Sequence, residues 1–219
     1  MDQSFIMVIE TSDYLHRLEA NQFNLFTQKL HNGISKTLSN FNGEIIEHND
    51  NKYVVGFNNA SDTVFCALKI KANFKYITPK FDKSIRQLKI GIAYDENHDK
   101  AVLHATRICE VVKDPIVITQ AIKHEYERSN RNSFIDRDDI KIMSSSEELF
   151  ITRLMNFLED EWNNFELNTE QLKDPLHYSK SQIYRKLRKL TGKSPSSFIR
   201  DYRLNRALKR IHKNFGTIG

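Results

Sequence analysis

Strand patterns occur only before Ser144, and every patterned segment after Glu148 is helical. A chain divided in this way cannot build one sheet along its whole length. Its 219 residues suffice for one large domain or two small ones, and the break in pattern favours two. The break falls at Ser144-Ser145-Ser146, followed by Glu147-Glu148, an acidic pair suited to the start of a helix. The expected organisation is an α+β domain over 1–143, a linker over 144–147 and an all-α domain over 148–219.

Ser4–Glu10 is a short apolar run with β-branched content, read as a buried strand. Ser12 then offers a helix cap, and Leu15, Leu18, Phe23, Phe26, Leu30, Ile34 and Leu38 follow at helical spacing. Glu44–His48 and Lys52–Phe57 read as a hairpin around Asn49-Asp50-Asn51. Further helices are expected over Ser61–Ile77, Val102–Val112 and Gln120–Arg128. Further strands are expected over Leu88–Tyr94, Ile116–Thr119 and Phe134–Met143. The order β-α-β-β-α-β-α predicts a ferredoxin-like sheet with helices packed on it.

The net charge of +5 conceals an asymmetry. From Lys173 to Lys213 there are 13 Lys or Arg against Asp174 and Asp201, a net +11, which leaves −6 for the rest. A basic tail on an acidic body points to a polyanionic partner, with nucleic acid first. Within that tail Ser179 can cap a helix that Gly192 ends, and Asn168 or Thr169 can cap a shorter one before it. Pro175, Leu176, His177 and Tyr178 lie between, the length of a helix-turn-helix connection. Ile183, Leu187 and Leu190 recur at i, i+4, i+7 and belong to the core. Lys180, Ser181, Gln182, Tyr184, Arg185, Arg188 and Lys189 are the candidate DNA-binding residues, supplying hydroxyl, amide and guanidinium groups for base edges and cations for phosphate.

Ser179–Ile211 resembles the DNA-binding region of the AraC family of bacterial transcription regulators. Ser179, Tyr184-Arg185-Lys186, Thr191-Gly192, Ser194-Pro195, Phe198-Ile199, Arg203-Leu204 and Ala207 all fall at the family's spacing. The resemblance covers about 70 residues from Glu148 onward. It implies two helix-turn-helices joined by a long helix, here Ser196–Lys213. The second motif is expected to begin where Thr217-Ile218-Gly219 stand, so the sequence is either a truncated or a shortened form. Lys173 and His177 take the places of the family's usual small alanine and its turn glycine or small polar residue.

FIMVIETSDYLHRL, GEIIEHNDNKYVVGF, LKIGIAY, HATRICEVV and PIVITQAI, in that order, resemble the class III nucleotidyl cyclase catalytic domain over about residues 4 to 127. The resemblance implies two carboxylates holding two metal ions. The first position falls near Ile9 or Glu10 and the second on Asn51, with Asp50 adjacent. The family's transition-state asparagine falls on Leu103, and Arg107 keeps its arginine. These departures lead to the expectation that the chain is not an enzyme and has no catalytic residues.

Other classes are excluded more simply. The eight histidines form no i, i+4 pair and no cluster, so neither a metal site nor a cofactor is expected. No apolar run approaches the ~18 residues of a membrane span, and Met1–Asp13 lacks a basic n-region, so no secretory signal is expected. Cys66 and Cys109, without CxxC spacing, read as buried thiols of a cytoplasmic protein. The reading is a cytoplasmic transcription regulator that binds double-stranded DNA. A small-molecule or nucleotide ligand is expected at its cyclase-like domain, which senses or dimerises, and the partner copy makes a homodimer. The alternatives are an active nucleotidyl cyclase with a fused helical module and a basic module that binds an acidic protein.

Overall fold

The computed structural model describes residues 4–13, 20–49, 52–77, 86–131, 135 and 138–215. The backbone divides into two compact units, Met1–Ser145 and Ser146–Gly219.

Unit 1 runs β1 (Phe5–Asp13), α1 (Ala20–Asn40), β2 (Glu44–His48), β3 (Lys52–Phe57), α2 (Ala60–Ile77), β4 (Arg86–Tyr94), α3 (His98–Val111), β5 (Ile116–Ile118), α4 (Gln120–Ser129) and β6 (Lys141–Ile142). The strands form one sheet in the order β2-β3-β1-β4-β5-β6. β1 pairs antiparallel with both β3 and β4, whereas β4, β5 and β6 are parallel. The first four strands thus have ferredoxin-like order, and unit 1 is α+β as expected.

Alternation along the strands assigns side chains to two faces. Met7, Ile9, Tyr53, Val55, Phe57, Ile90 and Ile92 cluster with Leu30, Ile34 and Leu38 of α1, Val64 and Ile70 of α2, and Ile122 and Tyr126 of α4. Ile6, Val8, Val54 and Ala93 face the other way and pack on Ala101, Ala105 and Cys109 of α3. Covering both faces explains why the central strands read as almost continuous apolar runs.

Three local expectations need correction. Ser12 caps no helix, because β1 continues to Asp13 and Ser12 pairs with Gln87; Leu15 and Leu18 lie outside the described residues. The last strand is only Lys141–Ile142, because β5 beside it offers only three residues; Phe134 lies outside the described residues. The span 144–147 is not a linker loop, because helix α5 (Ser145–Glu161) already begins within it.

Unit 2 holds α5, a 3-10 turn (Thr169–Leu172), α6 (Lys173–Leu176), α7 (Lys180–Thr191) and α8 (Pro195–Phe215). Leu172 and Leu176, Ile183, Leu187 and Leu190, and Phe198 and Ile199 are all buried, as are Phe150, Leu154 and Leu158 of α5. Asn168 caps the 3-10 turn through a capping box with Gln171. Pro175 sits inside α6, in a helical stretch short enough that its missing N–H costs little. The connection is therefore shorter than the spacing suggests: His177 and Tyr178, ahead of the cap Ser179.

His177 turns the chain in the left-handed region, at φ 56° and ψ 42°. A non-glycine residue there costs roughly 1–2 kcal/mol, partly offset by the extra chain entropy that glycine loses on folding. His177→Gly is therefore expected to raise stability by about 1 kcal/mol, read as a higher denaturant midpoint. A lower midpoint would mean that the imidazole itself holds the turn.

Candidate functional site

The geometry of α7 in unit 2 starts from two capped ends. The backbone N–H of Ser179 donates to Gln182 Oε1 at 2.9 Å, and Gln182 N–H returns to Ser179 Oγ at 3.4 Å. Gly192 closes α7 at φ 76°. Thr191 Oγ1 donates to the Leu187 carbonyl at 2.8 Å and accepts from Lys193 N–H at 3.0 Å, which fixes the exit towards α8. The caps and the apolar stripe leave one face of α7 in solvent.

All seven candidate residues lie on that exposed face, and the structure divides them by what each already holds. Lys180 Nζ pairs with Glu170 Oε1 at 2.5 Å. Lys189 Nζ pairs with Glu147 Oε1 at 2.8 Å. Arg188 Nη1 donates to the Gly192 carbonyl at 2.5 Å. Gln182 is committed through Oε1 to its cap, and Ser181 Oγ lies 3.2 Å from Ser179 Oγ. Among the described residues Tyr184 and Arg185 have no hydrogen-bond or ion-pair partner. Lys186, on the flank, turns inward over the rings of Tyr178 at 4.8 Å and Phe150 at 5.6 Å.

Sequence reasoning missed the acids. Glu170 also pairs with Lys173, at the i, i+3 spacing that a helix makes legible. Its second partner, Lys180, lies across the turn, where no local rule applies. Between them the two ammonium groups hold the Glu170 carboxyl down to about 2.

In unit 1 the positions singled out by the cyclase resemblance separate. Ile9 is fully buried on the α1–α2 face. Glu10 faces α3, and its cross-strand neighbours are Lys52 on β3 and Lys89 on β4. Lys52 Nζ donates to Thr106 Oγ1 at 3.4 Å, and Lys89 Nζ to the Glu110 carbonyl at 3.0 Å. Asp50 and Asn51 lie outside the described residues. Leu103 is 41% exposed, whereas Arg107, one turn later, is 4% exposed. A carboxylate whose neighbours on both adjacent strands are lysines is a poor match for a centre that gathers two divalent cations on converging oxygens. Among the described residues no group of three or more His, Cys, Asp or Glu converges on a point. Burial raises both thiols: Cys66, with Asp62 adding to the effect, to about 12, and Cys109, beside Glu10, well above its usual value. Neither is a thiolate nucleophile near neutral pH.

No family model matches the chain, and no curated protein does. Among solved structures, the adenylyl cyclase CyaB from P. aeruginosa is similar at a TM-score of 0.50 and 13% identity, over 57% of this chain and 81% of that one. The monomeric guanylyl cyclase domain of the RhoGC fusion protein from the aquatic fungus Blastocladiella emersonii has a TM-score of 0.46 at 12% identity, over 58% and 86%. The adenylate/guanylate cyclase/hydrolase from Silicibacter pomeroyi has 0.46 at 20%, over 58% and 80%.

Unit 1 has a nucleotidyl cyclase-like fold. The expectation that the chain is not an enzyme is thereby overturned. It was drawn from side chains at a few positions, and the fold around them is similar to that of the adenylyl cyclase CyaB. Among the described residues no helix is long and apolar enough to cross a membrane.

Proposed function

We propose that the chain is a sequence-specific transcription regulator of AraC type, in which α7 reads the major groove of DNA and the cyclase-fold unit binds a nucleotide. One observation carries the DNA reading. α7 is fixed at both ends and along its buried stripe, yet it presents Tyr184 and Arg185 to solvent with no partner among the described residues. A rigid helix with uncommitted polar side chains near its N-terminal half is what base readout requires. A single motif contacts few base pairs, so pairing of two copies through unit 1 would raise avidity through effective concentration.

The experiment is selection of duplexes from a random-sequence library by the purified chain, followed by salt-dependent titration of the selected site. Enrichment of one motif, with affinity that falls as salt rises, supports the reading. Equal binding of selected and random duplexes, or preference for an acidic polypeptide over DNA, removes it.

A second reading, nucleotidyl cyclase activity in unit 1, is favoured by the fold shared with CyaB. It is tested by incubation with ATP or GTP and Mg²⁺ or Mn²⁺, followed by chromatography for a cyclic product. Product that disappears in Glu10→Ala assigns the activity to unit 1, and absence of product under every condition removes the reading.

A further inference from the structure

We propose that Lys173 and Lys180 form a seat for a backbone phosphate of DNA, and that in the free protein the carboxylate of Glu170 occupies it. The proposal rests on the DNA-binding reading and adds to it a second lysine, a position and an internal competitor.

The two lysines come from the two helices of the motif and flank the turn between them. Each takes one oxygen of the same carboxylate: Lys180 Nζ meets Glu170 Oε1 at 2.5 Å, and Lys173 Nζ meets Oε2. A carboxylate so held is a two-oxygen anion bridging two ammonium groups. A phosphodiester also offers two unesterified oxygens and one negative charge, so it fits the same pair of donors.

The clasp is open to exchange. The side chains of Lys173, Lys180 and Glu170 are 44%, 67% and 51% exposed, so solvent and salt screen the internal pair. The Lys189–Glu147 pair differs, because the Glu147 side chain is only 8% exposed and its carboxylate is hemmed in. Lys193 pairs with Asp201 beyond the far end of α7, away from the turn. The seat at Lys173 and Lys180 is thus the one whose occupant can swing into water. Glu170 stays ionised throughout the neutral range, because its carboxyl is held near 2. A competing anion, and not a proton, is what displaces it.

Removing the internal anion should leave both lysines for DNA. The full-length chain is titrated against a fluorescent random-sequence duplex over a range of salt concentrations, alongside Glu170→Gln, Glu166→Gln and Glu170→Gln with Lys173→Ala. Glu166 is exposed, outside the clasp, and loses the same charge. Glu170→Gln is expected to bind several-fold more tightly and to steepen the slope of log K against log salt by about 1, the increment for one more neutralised phosphate. Glu166→Gln should leave the slope as in the parent, and adding Lys173→Ala should cancel the gain. Far-ultraviolet circular dichroism checks that each variant keeps its helices. Equal slopes for Glu170→Gln and Glu166→Gln overturn the seat. If the parent prefers its selected site to the random duplex and Arg185→Ala abolishes that preference, that failure belongs to the seat alone. If neither the parent nor Glu170→Gln binds duplex, the DNA-binding reading falls and the seat with it.

Discussion

Gly91→Ala is expected to destabilise unit 1 by about 3 kcal/mol, at the upper end of what overpacking costs, and Gly91→Val by more. Gly91 lies opposite Val8 in the register of β1 and β4, on the face that α3 covers. A Cβ at this position would stand 2.3 Å from the Ala105 carbonyl oxygen, and 2.8 Å from both the Cβ and the backbone N of Cys109. Two of those atoms are backbone, so no rotamer change relieves the clash. The helix must rise off the sheet, and it then loses the packing of Ala101, Ala105 and Cys109 against Ile6, Val8 and Ala93. Rigid, dense interiors transmit such a shift instead of absorbing it. A urea titration of Gly91→Ala should show a lower midpoint with an unchanged slope. An unchanged midpoint would mean that α3 does not approach β4 this closely in solution.

The same closeness bears on how much of the fold is legible in the residues. FIMVIE, KYVVGF and LKIGIAY stand out as strands because helices cover both sides of them, and their limits shift only by pairing, as when β1 runs on to Asp13 opposite Arg86. Which side a residue faces is settled by register. Ile9 and Glu10 are adjacent, yet one enters the α1–α2 core and the other lies in register with Lys52 and Lys89 on two different strands. No local pattern contains that triad. Leu103 and Arg107 stand at i and i+4 on α3, but four residues advance a helix by about 40° beyond a full turn. That rotation takes Arg107 to the side where Ile108 and Val111 are buried and leaves Leu103 at the surface. In unit 2 the caps and the stripe Ile183, Leu187 and Leu190 are local, and local spacing finds them. The acids that hold Lys180 and Lys189 are not. Glu147 lies 42 residues from Lys189 in sequence, and Glu170 meets Lys180 across the left-handed turn at His177.

Arg185→Ala is expected to weaken binding to the selected DNA site by about 1–3 kcal/mol, roughly five- to 150-fold, and to relax preference at one base position. Ser181, Tyr184, Arg185 and Arg188 recur at i, i+3, i+4 and i+7, which makes a stripe on the side of α7 away from Ile183, Leu187 and Leu190. Within that stripe Arg188 is drawn to the Gly192 carbonyl, and Lys180 and Lys189 on its margins are paired with carboxylates. Arg185 is the cation of the stripe whose guanidinium has no partner among the described residues. Its planar fork matches the O6 and N7 acceptors of guanine in a fixed geometry, where an ammonium group is a flexible point charge. Lys189→Ala is expected to behave differently on two counts. It removes the ammonium from a Glu147 carboxylate that is 8% exposed, so it should lower the stability of unit 2. Whatever binding it loses should be the same on every sequence, as for a phosphate contact. Titrating both variants against the selected site and a scrambled duplex separates the two roles. The selected-to-scrambled ratio should collapse for Arg185→Ala and hold for Lys189→Ala. A ratio unchanged in Arg185→Ala would place base readout on another residue of the stripe, with Tyr184 next to be replaced.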